Sequence, residues 1–160
     1  ASHASAQATA ENWPDPAQHH QNGASLSIYP PILGSSNSAS VVVRGPGCSP
    51  QGSLDAVFFF SSVGRTSPLT VVPGSQQALW WIGSADIVMM SSASGSPSAG
   101  SADVTVAWPS FGALIGTDVY AQAIGILTGS CIVAPLERRE NGQLMGYTLT
   151  QAMRLTIGAH

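Results

Sequence analysis

Acid–base, nucleophilic and metal chemistry each need particular side chains, and in this chain those side chains are few and unevenly placed. The four histidines are His3, His19, His20 and His160, so residues 21–159 contain none, and there is no lysine. A hydrolytic site with a histidine base would need the first twenty residues folded back over the rest. Schiff-base, P-loop and lysine cross-link chemistry is excluded. An amine at Ala1 followed by Ser2 and His3 offers the square-planar nitrogen set that Cu(II) or Ni(II) prefers. His19 and His20, with Glu11 and Asp15, offer a second set for Zn or Cu, but adjacent histidines of an extended chain point apart. In both places the simpler reading is a solvated polar segment, with no resident cofactor and at most adventitious Cu or Ni at the amino terminus. Asp55, Asp86, Asp103, Asp118, Glu137 and Glu140 read as turn and strand-end residues rather than as paired catalytic carboxylates. No enzyme is expected.

The aromatic residues suggest binding instead. Trp13, Trp80, Trp81, Trp108, Phe58–Phe60, Phe111, Tyr29, Tyr120 and Tyr147 could stack on sugar rings, although most are more simply core. The outward member of the Trp80/Trp81 pair and Trp13 are the expected partner or glycan contacts. Cys48 and Cys131 enclose about 84 residues. A disulfide between them would contribute roughly 4 kcal/mol on a chain-entropy account, and such a pair predicts an oxidising compartment.

Composition narrows the partners. The chain has 160 residues, a net charge of −3 and only 8% charged residues, against about 25% in an ordinary soluble domain. That length suits one well-cored fold. Five arginines cannot make the continuous positive surface that nucleic acid requires. Low charge also leaves little repulsion against packing one copy on the next. No run of 18 apolar residues predicts a membrane span. Ala1–Ala6 reads as the small-residue start of an exported chain, and no Asn-x-Ser/Thr sequon occurs.

Any such site must be carried by strands. Residues 1–24 show neither helical nor strand periodicity and read as an extended arm, with residues 25–160 as the folded domain. Short β-type runs then follow at Leu26–Tyr29, Ser40–Arg44, Leu54–Phe60, Leu69–Val72, Leu79–Ile82, Ile87–Met90, Asp103–Trp108, Val119–Leu127, Ile132–Val133, Met145–Thr150 and Met153–Ile157. Val104, Val106 and Trp108 alternate with polar or small residues, as do Met153, Leu155 and Ile157, which marks half-buried antiparallel strands. Val57–Phe60 and Leu79–Ile82 are apolar on both faces, so each is expected to be a covered central strand or to show an aromatic face to a partner. Ser91–Ser101 reads as a long low-complexity loop, and Glu137–Gly142 as a charged loop with a tight Asn-Gly turn. The predicted fold is an all-β antiparallel sandwich, Ig-like or jelly-roll.

Three stretches resemble a known module: Gly34-Ser35, Leu114–Ala123 with its Gly116-Thr117-Asp118-Val119-Tyr120-Ala121-Gln122-Ala123, and Leu149–Gly158 with its closing Leu155-Thr156-Ile157-Gly158. They are similar to a β-sandwich module repeated in secreted and surface proteins of planctomycetes and related bacteria. Thr150-Gln151-Ala152 stands where that module has Ser-Asn-Gly, and the amino-terminal arm has no counterpart in it. The resemblance implies an extracellular structural or adhesive module and brings no catalytic residues.

The resulting expectation is a secreted, disulfide-bonded subunit of an extracellular filament or surface layer. The arm, anchored by Trp13, is expected to lie on a neighbouring copy, a head-to-tail contact that propagates unless it closes into a ring. The alternative is a secreted carbohydrate-binding or adhesion module, with glycans as partners.

Overall fold

A computed structural model describes residues 6–15, 24–43, 53–70, 79–83, 87–95, 101–128, 136–140 and 143–160. Cys48, Cys131, His3, His19, His20 and the predicted Ile132–Val133 strand lie outside the described residues. The strands are β1 (Thr9–Trp13), β2 (Ala24–Ile28), β3 (Ser36–Val43), β4 (Ser53–Ser61), β5 (Gly64–Thr70), β6 (Leu79–Ile82), β7 (Ile87–Gly95), β8 (Ser101–Ala107), β9 (Asp118–Thr128), β10 (Leu136–Glu140), β11 (Gln143–Leu149) and β12 (Ala152–Thr156). All the strand pairs are antiparallel. A seven-stranded sheet contains β1, β4, β7, β9, β10, β11 and β12; a three-stranded sheet has the order β2-β3-β8; β5 and β6 form a separate ribbon.

The two sheets pack face to face. Phe58, Phe60, Ala121, Ala123, Leu155 and Ile157 of the larger sheet side meet Leu26, Ile28, Ala39, Val41, Val106 and Trp108 of the smaller one. Register explains the fit: Phe58 lies opposite Ala123 and Phe60 opposite Ala121, so small side chains leave room for the rings. Phe60 then meets Trp108 edge to face, with centroids 6.1 Å apart. Each fully buried phenylalanine contributes about 2–3 kcal/mol.

β4 is the covered central strand that its sequence predicts, flanked by β7 and β9. β6 corrects the central-strand half of the companion expectation: among the described residues it pairs with β5, and Trp80 lies edge-on to Phe59 on the outer face of the larger sheet, centroids 5.2 Å apart. Of the predicted Ser91–Ser101 loop, Ser91–Gly95 belongs to β7 and Ser101 to β8, while residues 96–100 lie outside the described residues. Glu137–Glu140 is strand rather than loop. Its register pairs Glu140 with Gln143, and the predicted Asn141-Gly142 turn lies outside the described residues.

The amino-terminal reading needs the largest correction. Thr9–Trp13 is not an arm outside the domain but a strand of the larger sheet, in register from Thr9 opposite Thr156 to Trp13 opposite Ala152. Backbone pairing to a distant strand supplies what local periodicity lacks. Ala8 N donates to His160 O at 2.7 Å and Ala159 N to Ala6 O at 2.8 Å, which extends the pairing beyond β12.

β9 bonds β4 along one side, and on the other side β12 over its first part and β11 over its last. Between those two partners one strand-like path carries an extra residue, as Ile124 faces Leu149 but Ala121 faces Met153. The bulge falls between Leu149 and Met153.

Candidate functional site

Alternation puts Glu11 and Trp13 of β1, Arg154 of β12 and Tyr120 of β9 on the outer face, with Glu11, Arg154 and Tyr120 in one cross-strand row. Arg154 pairs with Glu11 and its guanidinium stands 5.3 Å from the centre of the Trp13 ring. The Trp13 ring meets Tyr120 edge-on at 5.0 Å, and its Nε1 donates to Arg65 O at 3.0 Å. Gly64 allows β5 to lie on this cluster, because a Cβ there would be 2.4 Å from the Tyr120 ring and 2.9 Å from Trp13 Nε1. These contacts of Trp13 are all with its own chain.

Burial raises the Tyr120 pKa from its ordinary 10.0, and the nearby Asp118 carboxylate pushes the same way, against the lowering effect of Arg154. The neutral phenol is therefore favoured in the folded state. Its contribution is fully present below pH 10 and lost as pH rises through the raised value. In absorbance titration at 295 nm, Tyr120→Phe should remove a late-ionising phenol; loss of a phenol that ionises at the ordinary value would contradict this.

The buried polar side chains join layers. Gln122, fully buried, donates from Nε2 to Leu79 O and Thr150 O, each at 2.8 Å, and accepts from Trp81 N at 2.8 Å. Leu79 and Trp81 are two residues apart on one edge of β6, so the side-chain amide takes the place of a neighbouring peptide. Gln151 does the same for β2: it accepts from Leu26 N at 3.0 Å and donates to Leu26 O at 2.8 Å and Asn12 Oδ1 at 3.1 Å. Thr150 Oγ1 accepts from Ala123 N at 3.0 Å and so bonds the bulge to β9. Carboxylates also tie strands, with Thr156 Oγ1 donating to Asp118 at 2.7 Å and Ser40 Oγ donating to Asp103. Asp118 begins β9, the strand-end position expected of it, whereas Asp103 lies inside β8.

Among the described residues no three His, Cys, Asp or Glu side chains converge as a metal site. Trp80 and Trp81 are both half-buried, and the Trp80 ring is engaged by Phe59.

Family models, curated proteins and solved structures give no match to this chain. Its site must be judged on geometry.

One concave feature was missed by sequence reasoning. At one end of the sandwich a cleft of about 460 Å³ is walled mainly by Phe60, Trp108, Leu114, Val119 and Ile157, with Asp118 contributing charge. Trp108 and Ile157 were legible as core residues; the cavity between them depends on how distant loops meet. Trp108 N donates to Ser35 O at 2.8 Å, Gly34 N to Pro109 O at 3.0 Å and Gly116 N to Ile157 O at 2.8 Å. Gly34 and Gly116 hold φ of 73° and 83°, a backbone conformation suited to glycine. Exposed Tyr29, Ile32 and Phe111 lie in the same two loops.

Proposed function

We propose that this protein is a secreted structural subunit that assembles with copies of itself into an extracellular filament or surface layer. The observation that carries this reading is how β1 is held. It occupies a sheet edge through pairing with β12, and that pairing can equally be made between two copies, as in domain exchange. Ten residues separate Trp13 from Ala24, enough to span up to roughly 35 Å when extended. The Trp13–Tyr120–Arg154 cluster then anchors the exchanged strand. Low charge and the exposed Tyr29, Ile32, Val63, Leu69 and Phe111 support further contact between copies. The resemblance to secreted surface modules supports the extracellular setting, and several of its motif residues, Gln122 and Gly158 among them, have structural roles here.

The test uses the opposed pair Thr9 and Thr156. A Thr9→Cys/Thr156→Cys variant, oxidised after assembly, should give a ladder of covalent oligomers on a non-reducing gel. The wild-type chain, treated alike, should not, and native material should sediment as large particles. A band of single-chain size at every concentration, with monomeric sedimentation, would reject the reading.

A further inference from the structure

We propose that the cleft beside Trp108 is a binding site for a small, neutral, mainly aliphatic molecule that carries one hydrogen-bond acceptor, such as a medium-chain ketone or ester. The site is independent of self-assembly. Its volume of about 460 Å³ is in the range of small-molecule sites, which are mostly apolar with few polar groups. Phe60, Leu114, Val119 and Ile157 supply the apolar wall.

The polar group is the Trp108 indole. Its Nε1 is buried and has no hydrogen-bond partner among the described residues, whereas buried tryptophan N–H groups usually find one. Trp108 lines the cleft, so a ligand carbonyl or ether oxygen that displaces the packing over this N–H can accept from it; an alkylammonium cannot. Charge selects further. Among the described residues of the wall Asp118 is the ionisable one, and Arg65 and Arg154 are not part of it, so a carboxylate or phosphate ligand would meet like charge there. The walls are braced before any ligand arrives, since Ile157 N donates to Thr117 O at 3.0 Å and Leu114 N to Phe111 O at 3.0 Å. Preformed walls lower the ordering cost of binding.

The experiment follows the four tryptophan indole signals of the ¹⁵N-labelled full chain, with Trp108→Phe assigning the Trp108 signal. Titration with 2-decanone should move that signal downfield and saturate. Decanoate, kept below micelle formation, should bind at least tenfold more weakly. Val119→Trp and Leu114→Trp, each checked for native far-ultraviolet circular dichroism, should fill the cleft and abolish the shift. No saturable shift, equal binding of decanoate, or an undiminished shift in the filled variants would overturn the proposal. A Trp108 signal that moves with protein concentration alone would assign the cleft to a second copy and overturn it too.

Discussion

Gly158→Ala is expected to lower stability by about 3 kcal/mol or more, at the upper end for an added methyl group because backbone must move. A Cβ at Gly158 would lie 2.1 Å from Ala8 N, 2.5 Å from Gln7 C and 2.6 Å from Ala8 Cα. Carbon atoms pack at about 3.5–4.0 Å, and no rotamer relieves a clash made by Cβ itself. Moving residues 6–8 away sacrifices the Ala8–His160 and Ala159–Ala6 bonds. Moving Gly158 instead sacrifices its bonds to Pro31 O and Leu33 N, at 3.1 and 2.9 Å. Urea unfolding should show a lower midpoint at an unchanged slope. The cause can be isolated by a cycle with a chain lacking residues 1–8, itself destabilised, in which the alanine should cost less than about 1 kcal/mol. An equal penalty in both backgrounds would place the strain elsewhere.

This close approach also explains which parts of the fold sequence patterns could reveal. β8 and β12 are half-buried strands, and Val106, Trp108, Met153, Leu155 and Ile157 mark their inner faces directly. β1 has no such pattern. Ala10 is its small residue packed against the core, while Glu11 and Trp13 meet Arg154 on the outer face. What holds β1 is pairing to a strand about 140 residues later, information absent from its own five residues. β6 misleads in the opposite way: Leu79–Ile82 is apolar enough for a central strand, yet it lies on the sheet as part of a ribbon. The cleft was equally illegible, because its wall joins residues from Phe60 to Ile157.

The two glutamines stand out as polar positions inside apolar stretches, and their different attachments predict different failures. Gln151→Leu removes both partners of the Leu26 backbone, at the junction of the two sheets. It should lower global stability by about 3 kcal/mol, since buried backbone groups lose bonds that water cannot replace. Gln122→Leu cuts β6 from β9, so its main effect should be local opening of the ribbon. Hydrogen exchange at the Trp81 amide should quicken by roughly tenfold to a hundredfold, a local cost of about 1.4–2.8 kcal/mol, while core amides of β4 change less. Gln151→Glu separates hydrogen bonding from shape. Ionised, its carboxylate can still accept from Leu26 N but cannot donate to Leu26 O, and it places a charge in a buried site. Burial raises such a carboxyl's pKa, so the variant should gain stability relative to wild type as pH falls and the protonated acid regains a donor. A Gln151→Glu chain no more stable relative to wild type at pH 4 than at pH 7 would refute the peptide-like role of this side chain.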